Sequence, residues 1–211
     1  MTSEVSSYLK KSRGRPKVFD REAALDKAMT LFWQHGYEAT SLSDLVEATG
    51  AKAPTLYAEF TNKEGLFRAV LDRYIARFAA QHEAQLLCED KPVVRALEDY
   101  FTAVATCFTS KETPGGCFLI NTSATLAASS HAIAETLKTR HAQQERLLQQ
   151  FLELRQQRGE IPRATNTRDV AEFLSCVLQG MSISAREGAG CDKLLQVVRT
   201  TLRLWPTLIA G

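Results

Sequence analysis

Residues 50–67 read GAKAPTLYAEFTNKEGLF and predict two helices joined by a short connection. A short helix is predicted to begin at residue 52 or 53, because Pro54 then lies in the first turn, where the N–H that proline lacks has no helical partner. Leu56 and Phe60 follow at a spacing of four residues, which places both on one buried face. A longer helix, capped at residue 61 or 62, is predicted to continue to about residue 78.

Two more helices are predicted before this stretch. Asp20 can cap the first, because its carboxylate accepts hydrogen bonds from the free amides of the first turn, and Gly36 ends it. Ser41 and Asp44 have the spacing of a capping motif at the start of the second helix, and Gly50 closes that helix. The two short helices around Gly50 have the layout of a helix-turn-helix, whose second helix enters the major groove of DNA.

This region resembles the signature of the TetR family of bacterial regulators, over about residues 15–70. Two departures are Val46, where the motif usually has alanine, and Glu59, where an acid repels phosphate but can accept a hydrogen bond from a cytosine amino group. The residues that carry the resemblance are Ala28, Leu31, Phe32, Gly36, Tyr37, Thr40, Ser41, Gly50, Leu56, Tyr57, Phe60, Lys63 and Glu64.

The resemblance implies an all-α fold with an N-terminal three-helix DNA-binding domain, linked by a long helix to a helical domain for ligand binding and dimerisation. No stretch shows the period-two alternation of a strand. The predicted divisions are a basic flexible arm (1–17), the helix-turn-helix domain (18–65) and the ligand-binding and dimerisation domain (66–211). The later helices are predicted at 93–109, 117–128, 131–158, 167–187 and 191–205.

Several residues of the motif region are candidate DNA contacts. Lys63, at the start of the fourth helix, and Thr40 and Ser41, before the second helix, are predicted to hold phosphates, alongside possible capping roles for the two hydroxyls. Tyr57 is a candidate backbone contact through its hydroxyl, or a structural aromatic. The exposed residues of the recognition helix, predicted to face the bases, are Lys52, Ala53, Thr55 and Ala58.

The N-terminal arm is strongly basic. Residues 10–17 contain five basic residues and no acid, although the whole chain has a formal net charge of only +2. Residues 18–75, by contrast, hold more acids than bases. Arg13 and Arg15 flank a glycine and are predicted to enter a minor groove beside the site. The arm is therefore expected to supply much of the salt-dependent affinity for DNA.

The last two helices are predicted to form a four-helix dimer interface, as the resemblance implies; an intramolecular core is the alternative. The resemblance also implies an inducer pocket between residues 93 and 158, although for each candidate plain core is the favoured alternative. The interface candidates are Val170, Phe173, Leu174, Val177, Leu178, Met181, Leu195, Val198 and Leu202. The pocket candidates are Phe101, Val104, Phe108, Cys117, Phe118 and Asn121.

Cys117 has a second possible role. It follows two glycines at the predicted start of a helix, where the helix dipole lowers a thiol pKa, so it is a candidate sensor of oxidants or electrophiles as well as a candidate buried residue. The five cysteines are widely spaced with no CxxC pair, which favours free thiols in a reducing compartment over disulfides or zinc.

The sequence argues against several other classes of protein. It contains no P-loop, Rossmann fingerprint, GxSxG or HExxH motif, so no enzyme, cofactor or metal site is predicted. It has neither a secretory signal nor an apolar run that spans a bilayer. The prediction is a cytoplasmic homodimer that binds double-stranded operator DNA as a regulator, with repression the default and release by a small-molecule inducer. The alternative interpretation is a non-catalytic helical protein that binds other proteins.

Overall fold

The computed structural model describes residues 19–87, 90–127 and 130–210, and within these ranges it contains helices and no strand. The predicted all-α fold is confirmed. No helix in these ranges is both long and apolar enough to cross a lipid bilayer. The helices are α1 (Arg21–Ala39), α2 (Leu42–Thr49), α3 (Ala53–Phe60), α4 (Lys63–Tyr74), a π-helical turn (Ile75–Ala79), α5 (Ala80–Leu86), α6 (Val93–Phe108), α7 (Phe118–Ala124), α8 (His131–Gln157), α9 (Thr167–Arg186), α10 (Cys191–Arg203) and α11 (Trp205–Leu208).

The structure confirms the predicted starts of the first two helices and the predicted end of the second, whereas α1 extends to Ala39 with a break at Gly36, whose φ is 81°. Asp20 accepts a hydrogen bond from the Ala23 amide at the start of α1. Ser41 and Asp44 form a complete capping box on α2, and Gly50 ends that helix in the left-handed conformation. Each cap satisfies amides or carbonyls that the helix leaves unpaired, so these boundaries follow from the local sequence.

Gly65 fixes how closely α3 and α4 approach each other. A Cβ atom at this position would lie 2.0 Å from the Phe60 carbonyl oxygen, so only glycine fits. Asn62 caps α4 by accepting a hydrogen bond from the Gly65 amide at 2.8 Å. The short connection between α3 and α4 therefore depends on the absence of one side chain.

The predicted long fourth helix is interrupted. After Tyr74 the chain passes through the π-helical turn Ile75–Ala79 before it resumes as α5. A π-helical turn accommodates an extra residue in the helix and is frequent at functional positions. Apolar periodicity does not show such a turn, because the apolar face continues through it.

The later helices lie close to their predicted positions, with two differences. Helix α7 ends at Ala124, sooner than predicted. Helix α10 ends at Arg203 and a short α11 begins at Trp205, because Pro206 lacks the amide hydrogen that would continue α10.

A cluster of aromatic side chains joins the N-terminal helices to the rest of the molecule. Trp33 of α1 lies 5.2 Å from Tyr74 and 6.0 Å from Phe118 of α7, measured between ring centroids. Phe67 of α4 lies 5.3 Å from Phe32 and 5.6 Å from Phe118. The N-terminal helices therefore share one continuous core with α7. The domain boundary at residue 65 stays a prediction.

Candidate nucleic-acid interface and inner cavity

One face of helix α3 packs against the core, and the opposite face is exposed to solvent. Leu56 and Phe60 are buried at 3% and 5% exposure, as predicted, and Leu45 of α2 is fully buried in the same core. The other face of α3 is accessible to solvent, including a 46% exposed Tyr57. This arrangement is that of a helix-turn-helix unit, which presents its second helix to a partner.

The four predicted base contacts lie on this face or at its edge. Lys52, the N-cap of α3, and Ala58 are exposed, whereas Ala53 and Thr55 are partly buried. Pro54 is also exposed on the first turn, where the sequence had not placed a contact. Within the described residues, the Lys52 side chain forms no hydrogen bond or ion pair, so its ammonium group is available to a partner.

Thr40 and Ser41 differ in how accessible their hydroxyls are. The Thr40 side chain is buried, and its Oγ1 donates to the Gly36 carbonyl at 2.8 Å. A phosphate contact by this hydroxyl would require that bond to break. The Ser41 side chain is exposed, and its Oγ accepts from the Asp44 amide at 3.1 Å, which leaves the hydroxyl proton to be donated.

Lys63 and Tyr57 lie on either side of the connection between α3 and α4. The Lys63 ammonium lies 4.4 Å from the Tyr37 ring centroid and donates to the Glu38 carbonyl at 3.4 Å. Burial lowers the pKa of Lys63, and the Glu38 and Asp44 carboxylates oppose this shift. The Tyr57 hydroxyl has no hydrogen-bond partner among the described residues. Lys63 is thus a positioned cation, and Tyr57 a free donor.

Glu59, the acid that departs from the motif, is paired. Its Oε1 accepts from Arg21 Nε at 2.7 Å, and the Arg21 guanidinium lies 5.3 Å from the Phe60 ring centroid. The pairing reduces the repulsion that an acid at this position exerts on phosphate. Sequence reasoning missed it because the two residues are 38 positions apart.

The predicted arm contacts, Arg13 and Arg15, lie outside the described residues. They stay predictions.

An inner cavity of about 240 Å³ lies between the π-helical turn and helices α4, α5, α6, α7 and α8. Three of the predicted pocket residues, Val104, Phe108 and Cys117, line it. In the described ranges, no cluster of three side chains suited to bind a metal ion occurs. The lining residues are Tyr74, Ile75, Phe78, Ala79, His82, Glu83, Tyr100, Val104, Cys107, Phe108, Cys117, Leu119, Arg140, Gln143, Gln144, Leu147 and Gln150.

The other three pocket candidates do not line this cavity. Phe101 is buried and packs edge-on against Tyr100 at 5.4 Å between centroids. Phe118 is fully buried in the aromatic cluster. The Asn121 amide donates to the Gly115 carbonyl at 2.8 Å and holds the turn before α7. Periodicity identified these residues as inward-facing but could not separate core from cavity wall.

The expectation of a lowered Cys117 pKa is wrong. Cys117 is the N-cap of α7, as its position after the two glycines implied, but its side chain is buried, and burial raises the pKa of the thiol. Hydrogen bonding from the Tyr74 hydroxyl, 3.4 Å from the sulfur, and from nearby backbone amides opposes the rise without cancelling it. Desolvation of the thiolate outweighs the favourable helix start.

Most polar residues of the cavity were missed by sequence reasoning. Tyr74 lies in α4 and Tyr100 in α6, and the others come from α5, where no helix was predicted, and from α8. Glutamines 143, 144 and 150 on α8 follow a helical spacing that places them on one side, and this was the one signal that could have identified a polar wall. The missed polar residues are Tyr74, His82, Glu83, Tyr100, Arg140, Gln143, Gln144 and Gln150.

The predicted dimer residues fall into two groups within one protomer. One group is buried in the protomer's own core, and the other is only partly buried on the outer side of α9 and α10. The buried group is Val170, Leu174, Leu178, Met181 and Val198. The partly buried group is Phe173, Val177, Leu195 and Leu202. Val197 and Leu204, which the sequence had not singled out, are 38% and 47% exposed beside this second group.

Comparison with known proteins agrees with this geometry. Residues 24–70 match the model of the bacterial regulatory proteins of the tetR family, and residues 93–202 match the tetracyclin repressor-like C-terminal domain. The chain is 71% identical over 209 residues to the HTH-type transcriptional repressor ComR of Escherichia coli (strain K12), which covers 99% of this chain and 100% of that protein. It is 30% identical over 181 residues to the HTH-type transcriptional repressor BdcR of the same strain, which covers 86% of each.

A solved structure is similar over most of the chain. It is a cysteine mutant of the TetR family transcriptional regulator CifR in complex with a 26 bp double-strand operator DNA. The TM-score is 0.85 at 34% sequence identity, over 92% of this chain and 100% of that one.

The fold, the open face of α3 and these likenesses define a helix-turn-helix DNA-binding transcription regulator, a class of protein that is not enzymatic. The chain belongs to the TetR family of bacterial regulatory proteins.

Proposed function

We propose that the protein is a cytoplasmic transcriptional repressor that binds a palindromic operator as a homodimer and leaves it when a small molecule occupies the inner cavity. The observation that carries the proposal is the open face of α3, whose Lys52 ammonium and Tyr57 hydroxyl have no partner among the described residues. Repression is supported by the 71% identity to the repressor ComR, and operator binding by the likeness to CifR on its operator DNA.

The proposed DNA contacts divide into two kinds. Lys52, Ala53, Thr55 and Ala58 read base edges in the major groove, where a lysine pairs with guanine and a methyl group contacts thymine. Contacts to phosphate position the helix without reading sequence. The residues proposed for phosphate contacts are Thr40, Ser41, Tyr57, Lys63, Arg13 and Arg15, of which Thr40 needs a rearrangement of its hydroxyl.

The homodimer is proposed to form through α9 and α10. Phe173, Val177, Leu195 and Leu202 are partly buried, and Val197 is exposed beside them. Apolar side chains left half-covered on two neighbouring helices are what a second copy would cover in a four-helix interface. Two copies are needed because each helix-turn-helix reads one half of a palindrome.

A ligand in the cavity is proposed to act on the DNA-binding helices through the π-helical turn. Ile75 and Phe78 of this turn line the cavity. Arg73 and Arg77, on the same continuous helical segment, contact Asp26 of α1 at 2.6 Å and 3.2 Å. Displacement of the turn would therefore move α1, and with it the unit that carries α3.

A second candidate mode is the sensing of oxidants or electrophiles through Cys117. The observation in its favour is that the Cys117 thiol lines the cavity together with that of Cys107. The raised pKa of both thiols opposes it, because the thiolate is the reactive form.

Gel-shift titration of the full-length protein tests operator binding. The probe is the DNA upstream of the gene for this protein, with unrelated DNA of equal length as competitor. We expect a preference for one palindrome, lost in Lys52→Ala and kept in Lys138→Ala, which removes an exposed lysine from α8. No sequence preference on any upstream DNA would contradict the function.

Analytical ultracentrifugation tests the dimer. Val197→Asp places a charge on the outer side of α10, where the side chain is exposed in one protomer and so is not needed for its folding. We expect the wild type to sediment as a dimer and the variant as a folded monomer. If the variant still sediments as a dimer, the interface lies elsewhere on the protein.

A further inference from the structure

We propose that the inner cavity takes a small hydrophobic organic cation, such as an aromatic ammonium compound, with its positive charge held at the Glu83 carboxylate. This inference rests on the proposed release by a small molecule and names the chemical class of that molecule.

The walls of the cavity suit such a ligand. Four aromatic side chains line it: Tyr74, Phe78, Tyr100 and Phe108. Aromatic faces attract an organic cation through the ring quadrupole, and this attraction is larger in a site from which water is excluded. The wall also includes aliphatic side chains, which favour the apolar part of the ligand: Ile75, Ala79, Val104, Leu119 and Leu147.

Glu83 is the acidic group of this wall, and its carboxylate is unpaired. Within the described residues it forms no hydrogen bond and no ion pair. Burial raises its pKa, and the charge of Arg140 opposes the rise. A half-buried carboxylate without a close partner is costly, so a cation beside it gains electrostatic energy that bulk water does not offer.

Arg140, the basic group of the cavity wall, is already paired. Its Nη2 lies 3.0 Å from Asp72 Oδ1, and its Nη1 donates to Gln143 Oε1 at 3.2 Å. An anionic ligand would have to compete with the Asp72 carboxylate for this guanidinium. The cavity therefore favours a positively charged ligand over a negatively charged one.

The other polar groups of the wall are neutral, and several are occupied. Burial lowers the pKa of His82, which keeps the imidazole uncharged at neutral pH. The Tyr74 hydroxyl donates to Cys117 Sγ. Gln144 hydrogen-bonds the Tyr100 side chain. These groups leave Glu83 as the anchor for a charged ligand.

The volume limits the size of the ligand. Pockets for drug-sized molecules usually measure about 300–1,000 Å³. The inner cavity, at about 240 Å³, is smaller. A single aromatic ring that carries one small ammonium group fits this limit.

Isothermal titration calorimetry on the full-length protein tests the proposal with three benzyl probes, of which the cationic and the neutral one have nearly equal shape. They are benzyltrimethylammonium (cationic), neopentylbenzene (neutral) and phenylacetate (anionic). We expect the cation to bind about tenfold or more tightly than the neutral probe. Glu83→Gln should remove this preference, whereas Glu145→Gln, which removes a carboxylate of α8 that does not line the cavity, should retain it.

The remaining outcomes overturn the proposal. Equal binding of the cation and the neutral probe, tightest binding of phenylacetate, or no binding of any probe would each do so. Glu83→Asp keeps the charge and should keep the preference. It is the control that separates the loss of charge in Glu83→Gln from a loss of folding. If the operator gel shift succeeds while the cation fails to bind, the ligand class is wrong and the repressor function stands. If the gel shift itself fails, the proposed function is wrong.

Discussion

Arg21 and Glu59 form an ion pair of 2.7 Å between the first turn of α1 and the last turn of the recognition helix α3. Both side chains are substantially exposed, at 47% and 38%, so the pair contributes less than about 1 kcal/mol to stability. Its significance is electrostatic, because it neutralises an acid on the helix that is proposed to face DNA.

We expect the two partners to have opposite effects when each is changed alone. Glu59→Gln removes a negative charge near phosphate and should raise affinity for specific and unrelated DNA alike, which reduces the specificity ratio. Arg21→Gln leaves the acid unpaired and should lower affinity for both. Fluorescence anisotropy on operator and scrambled duplexes measures this. A loss of affinity in both variants would show that the pair acts only by positioning α3.

Lys63→Gln should weaken binding several-fold and to the same extent on operator and unrelated DNA, because a phosphate contact carries no sequence information. The slope of log K against log salt should fall by about 1. Anisotropy titrations at several salt concentrations measure the slope, with Lys138→Ala as the control. An unchanged slope would mean that the Lys63 ammonium serves only to pack on Tyr37.

Deletion of residues 1–17 should weaken DNA binding several-fold and flatten its salt dependence, because the segment 10–17 holds five basic residues without an acid. The same titrations apply, and circular dichroism establishes that the shortened chain folds. A salt slope equal to that of the full chain would show that the arm does not contact DNA.

Gly65→Ala should destabilise the protein by about 1–3 kcal/mol, because the added methyl group meets the Phe60 carbonyl at a distance that no packing tolerates. The shift of α3 against α4 should also reduce operator affinity. Urea unfolding followed by circular dichroism gives the free energy. A variant as stable as the wild type would contradict the close approach of these two helices.

Cys117 should react slowly with iodoacetamide at neutral pH, since its raised pKa reduces the thiolate fraction. Its rate should increase as the pH rises towards that pKa. Cys176, which is exposed, is the internal control and should react about tenfold faster or more at pH 7. Mass spectrometry of timed digests measures both sites. Preferential alkylation of Cys117, with operator release that Cys117→Ser abolishes, would revive the sensor mode.

The local sequence was sufficient to predict where α1 and α2 begin and where α2 ends. The caps at Asp20 and Ser41 and the left-handed Gly50 involve residues at most four positions apart, so short-range chemistry decides them. The same holds for the buried anchors Leu56 and Phe60, whose spacing alone places them on one face of α3. The class of protein followed from this region.

Tertiary structure decided the rest. The Glu59 pairing joins residues 38 positions apart, and the inner cavity is built from six segments. The burial of Cys117 that raises its pKa comes from the helices packed around it. Periodicity says that Phe101, Phe118 and Val104 face inward, but only the packing of α6 and α7 against their neighbours determines that Val104 borders a cavity and the other two fill core. The amino-acid sequence alone was therefore enough to predict a helix-turn-helix regulator and the caps of its first two helices. The partner of Glu59, the protonation of Cys117 and the unpaired carboxylate of Glu83 were decided by the tertiary structure, because charge and solvation depend on groups brought together from distant parts of the chain.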